Sequence, residues 1–424
     1  MKQKSTWLAG AAGVCAIAMV LAAQTAPTEA PSGFTTPPLT QSPPPTTVSN
    51  GLQEPSGDTF LADQMEFERV HDPATGLGPL FNATACAQCH QNNVTGSASQ
   101  ITEVRVGHLD ANGNFTNPKI LINDGAVSIT GRSIVNDRAI CDMAQEQVPD
   151  TETIRTRRAV LNTLGDGFVE AVDDQTLLTI AANQPSLSGG LIQGDAIEIP
   201  ILESPGMTRV GRFGWKDQQP TVLSFAGDAY LNEMGVTNRL RPTDVTTVCK
   251  ATTDPEDQPD ANGLADIDHF AQFIRATQAP PRDTVLAATS DAQAGATLFD
   301  KIGCGVCHVS AMVTAPAGTA VSSVYSVPAA LANKVFHPYG DFLLHDVGTG
   351  DGIVQAGPAD TANKLRTAPL WGLHIKSRFM HDLESLTLHD AIVRHKGEAT
   401  HVTRRFLGLT PAEQQQLLTF LKSL

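Results

Sequence analysis

Cys86-Ala87-Gln88-Cys89-His90 and Cys304-Gly305-Val306-Cys307-His308 decide how this sequence is read. Both follow the pattern Cys-x-x-Cys-His. With 7 cysteines and 12 histidines in 424 residues, composition alone predicts about 0.003 chance matches to it. The pattern is that of c-type haem attachment: two thiols bond covalently to the haem vinyl groups, and the adjacent histidine is held beneath the iron. A zinc site does not need His directly after the second cysteine. A thioredoxin-like redox pair needs a βαβ context that the flanking sequence lacks. The expectation is one haem c on Cys86, Cys89 and His90, and a second on Cys304, Cys307 and His308.

Working outward, Leu80-Phe81 and Leu298-Phe299 each end five residues before the first cysteine of their motif. The copies lie too far apart for a solenoid period and fit two related modules. Ala279-Pro280-Pro281 is a breaker that puts the boundary near residue 280. Ser290-Asp291 reads as a cap for a helix running toward Ile302. Thr410-Pro411-Ala412-Glu413 reads as a capping box with Pro at the first helical position, and Leu417, Leu418 and Leu421 give that last helix an apolar face. Residues 181–265 are rich in Gly, Pro, Asp and Thr and read as long loops. The predicted fold is mainly α, with two cytochrome c-like haem domains, 57–280 and 281–424, and a loop-rich insertion in the first.

The amino terminus gives an address. Met1 to Lys4 carries two lysines, and Trp7 to Ala23 carries no charge. Residues 1–23 read as a secretory signal peptide, with an uncleaved membrane anchor as the alternative. The Pro/Thr/Ser-rich stretch 24–56 reads as an extended linker. The expected location is the periplasm, an oxidising compartment in which Cys141 and Cys249 either pair or stay as buried thiols. Hydrophobic residues at 41% and charged residues at 17% exclude a disordered chain. A net charge of −15 argues against a duplex nucleic-acid partner, and favours a basic protein as electron donor.

Function turns on the sixth position of each iron: two protein ligands make a carrier, and an open position admits peroxide. Leu388, Ala391, Ile392 and His395 fall on one face of a helix opened by Thr387, which makes His395 the candidate ligand for the second haem. Met380 and His381 are its rivals, and His337 and His345 read as structural. For the first haem, His71 and His108 are the nearest free histidines, but neither sits on a clear apolar stripe. Glu170, among apolar neighbours, is the candidate proton carrier, with an ordinary surface glutamate as the alternative. Trp215 is the candidate electron relay between haems, with core packing as the alternative.

Several segments carry a family resemblance. They are Leu77-Gly78-Pro79-Leu80-Phe81-Asn82, Val210-Gly211-Arg212-Phe213-Gly214-Trp215-Lys216, Leu344-His345-Asp346-Val347-Gly348, Leu365-Arg366-Thr367-Ala368-Pro369-Leu370-Trp371, Phe379-Met380-His381-Asp382 and Arg394-His395-Lys396-Gly397-Glu398. From about residue 60 onward the chain resembles the bacterial di-haem cytochrome c peroxidase superfamily, which includes the methylamine-utilisation di-haem enzymes. More closely, it is similar to the di-haem thiol oxidoreductases, also labelled peroxidases. The resemblance implies an oxidoreductase with a peroxidatic N-terminal haem and an electron-receiving C-terminal haem. It implies hydrogen peroxide as oxidant, and members often hold Ca²⁺ between the domains. It also implies a distal ligand fourteen residues beyond the His of a His-Asp-Gly motif, which from His381 is His395. Leu383 stands where that motif has Gly, so its turn is expected to be built differently. The usual paired cysteines before the second domain are reduced to Cys249.

Three functions remain open at this point. The first is a peroxidase supplied by a small cytochrome or cupredoxin, the second a di-haem electron carrier, and the third an oxidase that modifies a partner protein docked on residues 181–265.

Overall fold

The computed structural model describes residues 26–35, 46–55 and 58–424. The predicted signal peptide, 1–23, lies outside the described residues. Within them, no helix is long and apolar enough to cross a membrane.

Local sequence accounts for the helices around both motifs. α1 (Phe60–Glu68) starts at Thr59, whose hydroxyl accepts from the Ala62 N–H. α2 (Cys86–Cys89) is a single turn that ends on His90. α3 (Asp166–Glu170), α4 (Asp174–Ser188), α5 (Val222–Met234) and α6 (Asp266–Ala276) complete the first half. The second half carries α7 (Thr284–Ala287), α8 (Ser290–Ile302), α9 (Leu388–Arg394), α10 (Thr400–Leu407) and α11 (Pro411–Leu421). Thr289 caps α8, and Gly303 ends it at a φ of 102°. Thr410 and Glu413 form the expected capping box of α11, behind Pro411. α8 and α11 approach so closely that a Cβ on Gly295 would collide with the Gln416 carbonyl, which explains the glycine there.

The chain is not mainly α, and this corrects the expectation. Helix accounts for 31% and strand for 16% of the described residues, with the strands spread over several small sheets. The largest sheet pairs Thr102–Leu109 with Ile154–Ala159, Ile134–Val135 and Phe115–Thr116, all antiparallel. Thr102, Val104 and Val106 alternate at period two, the strand signal that the attention to haem-bearing helices passed over.

Two expected boundaries also differ. Thr28–Glu29 pairs in parallel with Lys334–Val335, Ser32 bridges Ala279, and Ser49 bridges Thr277. The Asn50 amide donates to the Arg275 and Thr277 carbonyls. The stretch 24–56 is therefore a strap in its described part, and the folded body does not begin near Gly57. Backbone pairing supplies these contacts, so apolar composition gave no sign of them. The division near 280 runs through a shared core: Phe168 and Phe273 from one side pack with Phe336, Phe342 and Trp371 from the other. A second cluster, around Phe299, Phe406, Leu417 and Phe420, belongs almost wholly to the C-terminal half. Cys141 and Cys249 form a disulfide beside a third cluster, under the outer strands.

The two Leu-Phe pairs are not structural equivalents. Leu80–Phe81 is a short strand paired with Arg138–Ala139, whereas Leu298 and Phe299 lie in α8. The residue that matches Phe299 is Phe67 of α1. Phe67 meets the His90 ring at 6.0 Å, and Phe299 meets the His308 ring at 6.2 Å.

Candidate active site

The C-terminal motif follows directly from α8. Gly303 breaks the helix, a tight turn covers Cys304–Val306, and His308 swings into the interior. Opposite it, His395 caps the C-terminus of α9, with Leu388, Ala391 and Ile392 lining the same cavity. This cavity is about 260 Å³ and is also lined by Cys304, Cys307, Phe299 and Trp215.

Two backbone carbonyls fix the imidazoles. His308 Nδ1 lies 3.0 Å from the Tyr339 oxygen, and His395 Nδ1 lies 2.7 Å from the Ala391 oxygen. A carbonyl only accepts, so each Nδ1 carries the hydrogen and each Nε2 keeps its lone pair. Burial and the neighbouring His395 push His308 down to about 4, and burial lowers His395. Both rings are therefore neutral, the form a metal needs. Their centroids are 6.5 Å apart. Two metal–imidazole bonds of about 2 Å, each extended by a ring radius of about 1.2 Å, span about 6.4 Å, so the pair fits one iron between them. Burial pushes the Cys304 thiol up to about 12, far from the thiolate that a redox cysteine uses. The residues present thus fit a haem held at Cys304, Cys307 and His308.

The N-terminal motif is built differently. His90 is held by its backbone N–H, which donates to Cys86 O at 3.0 Å. Burial pushes its ring down to about 4, with the Leu161 backbone opposing weakly. Its Nδ1 is buried and makes no well-formed hydrogen bond, and its aromatic neighbour is Phe67. The two candidate histidines are engaged elsewhere. His71 contacts Tyr230 Oη at 3.2 Å, and His108 pairs with Glu152 at 2.7 Å on the large sheet. Neither stands to His90 as His395 does to His308.

Glu170 is wholly buried at the end of α3. Its oxygens accept from Arg275 at 2.6 and 2.9 Å and from the Val222 N–H at 2.8 Å. This carboxylate is an anchor between α3, α5 and α6, not the poised proton carrier expected of it. Trp215 lines the cavity, donates to the Ala159 carbonyl at 2.8 Å and meets the His381 ring edge-on at 6.1 Å. His381 also lines the cavity, with Nδ1 buried and unpartnered. Leu383 keeps a φ of 58°, the left-handed conformation that glycine favours. Leucine here accepts the strain of a conformation that glycine adopts freely.

One feature escaped the sequence: the Tyr339 carbonyl that orients His308, a backbone role without a side-chain signature. His345, read as structural, is buried, lies 2.9 Å from both Asp341 and Glu398, and is 3.8 Å from Cys307 Sγ. The Asp341 carboxylate holds it well above the usual imidazole range, against its burial.

Comparison with known proteins places this site in a family. The family profile described as "di-haem oxidoreductase, putative peroxidase" matches residues 141–424, and so contains the second motif but not the first. No curated protein matches the chain. Among solved structures, Kuenenia stuttgartiensis hydrazine synthase (pressurised with xenon) aligns at 15% identity and a TM-score of 0.39, over 93% of this chain and 97% of that one. A MauG-like protein associated with microbial copper homeostasis aligns at 19% identity and a TM-score of 0.24, over 37% of this chain and 52% of that one. With the profile covering about two thirds of its length, the chain belongs to the di-haem oxidoreductases, a family of enzymes whose cofactors are haems.

Proposed function

We propose that this oxidoreductase is a periplasmic, peroxidase-like enzyme carrying two covalently bound haems c. Cys86, Cys89 and His90 would hold the first, and Cys304, Cys307, His308 and His395 would hold the second. When bound, these groups supply one-electron redox chemistry and, at an open iron, a site for hydrogen peroxide. The single observation that carries the reading is the asymmetry of the histidines: His308 faces His395 across 6.5 Å, whereas the candidate partners of His90, His71 and His108, are engaged by Tyr230 and Glu152 instead. Two histidines fixed by carbonyls support electron transfer at the C-terminal site. A lone histidine supports ligand binding at the N-terminal one. The position of Trp215 on the wall of a cavity lined by residues of both modules supports reading it as a relay between them.

The rest of the chain's work is exclusion and orientation. Apolar residues of α9 and α11 keep water from the His308–His395 pair, and Tyr339 and Ala391 fix both tautomers. The donor is a basic small cytochrome or cupredoxin, drawn by the chain's net charge of −15. The test is steady-state oxidation of such a reduced donor by hydrogen peroxide. Peroxide-dependent oxidation that slows as salt rises supports the reading. A protein that exchanges electrons with the donor but never consumes peroxide is instead an electron carrier.

A further inference from the structure

A second constellation lies away from both haem motifs, where the strap enters α1. Asp58 precedes α1, Asp63 sits in its first turn, and His269 faces them from α6. His269 Nδ1 is 2.6 Å from Asp63 Oδ1 and 3.4 Å from Asp58 Oδ2. One ligating atom from each of the three lies within 4.8 Å of the others. Glu54, from the strap, brings its carboxyl close enough to Asp63 and Asp58 to be repelled by both.

These carboxylates are not satisfied by the protein. The Asp63 side chain is 0% exposed and that of Asp58 2%, yet Asp58 Oδ2, Asp63 Oδ2 and both oxygens of Glu54 are buried without a partner. Buried acceptors are otherwise hydrogen-bonded in folded proteins, and like charges this close repel. Among the described residues, His269 is the cationic side chain paired with Asp58 and Asp63. Asp260 Oδ2 lies beyond it, 3.8 Å from Nε2. Elsewhere in the fold a similar acidic group is already neutralised: Lys250 sits among Asp244, Asp254 and Glu256.

We infer that Glu54, Asp58, Asp63 and His269 form a binding site for a divalent cation of the Mn²⁺ class. Oxygen donors suit hard cations, and the single imidazole favours Mn²⁺ over Ca²⁺. The ion would fasten the strap to α1 and α6. One turn along α1 from Asp63 is Phe67, the ring that packs on His90, so the site also braces a wall of the N-terminal haem motif.

The test titrates Mn²⁺ into the full-length, haem-loaded protein after chelation, and follows the six-line resonance of the free ion. Glu54→Gln is the informative variant, because Glu54 is only half-buried and supports no hydrogen bond. His269→Gln is the second. The expected result is one saturable site per chain that at least tenfold excess Ca²⁺ fails to empty and that either variant weakens at least tenfold. No saturable binding, or binding unchanged in both variants, would overturn the inference. Binding weakened in Glu54→Gln but not in His269→Gln, and emptied by Ca²⁺, would overturn the Mn²⁺ assignment.

Discussion

Replacing Glu170 with leucine separates an anchoring carboxylate from a proton-carrying one. Glu170 and Arg275 side chains are 1% and 7% exposed and meet through two hydrogen bonds of 2.6 and 2.9 Å. Breaking such a pair from one side leaves a buried charge uncompensated, at about 3–5 kcal/mol. The Val222 N–H, which donates to Glu170 at 2.8 Å, also loses its acceptor, adding about 1–3 kcal/mol. The Tyr325 ring, 3.7 Å from the Arg275 guanidinium, still supports that charge. The expected loss for Glu170→Leu is therefore near the low end, about 5 kcal/mol. The double variant Glu170→Leu/Arg275→Leu removes the stranded charge and should recover most of this, to within about 2 kcal/mol of the parent. Urea unfolding of the haem-loaded proteins measures both. A single variant costing under about 1 kcal/mol, or a double variant no better than the single, would refute the reasoning. Glu170→Gln adds a functional check: the pH profile of peroxide turnover should keep its shape, and a lost limb would restore the proton-carrying role.

Two further outcomes are expected. The Cys141–Cys249 disulfide closes a loop of 108 residues, and removing it as Cys141→Ser/Cys249→Ser should cost about 4.7 kcal/mol on the chain-entropy account, read from the urea midpoint and slope. In chelator, His269 is raised from 6.5 to about 9, chiefly by its hydrogen bond with Asp63. Its contribution to stability is complete below pH 6.5 and is lost as pH rises through about 9, so thermal midpoints should fall across that window, and less in His269→Gln.

The parts of this protein legible in its sequence are those where chemistry fixes residue type and spacing together. Cys-x-x-Cys-His is one, because its close spacing brings two thiols and an imidazole to one place, as Cys304, Cys307 and His308 show by lining one cavity. The face shared by Leu388, Ala391, Ile392 and His395 is another, because helical period alone turns it to one cavity. What stayed hidden depends on backbone or on distant partners. The strap pairs through main-chain groups of Thr28 and Glu29 with Lys334 and Val335, contacts that its Pro/Thr-rich composition does not encode. Glu170 read as a poised acid because its apolar neighbours were visible, whereas Arg275, the partner that holds it, is 105 residues away. The outer sheet was hidden for a different reason: the alternation of Thr102, Val104 and Val106 with charged Glu103 and Arg105 is short, so it carries little signal beside the haem motifs.

The account rests most directly on the inequality of the two iron sites. A paramagnetic-resonance spectrum of the ferric, haem-loaded protein, with and without one equivalent of hydrogen peroxide, tests it. The prediction is one high-spin and one low-spin signal, with peroxide acting on the high-spin one and His395→Ala altering only the low-spin one. Two low-spin signals indifferent to peroxide, or a low-spin signal untouched by His395→Ala, would contradict it.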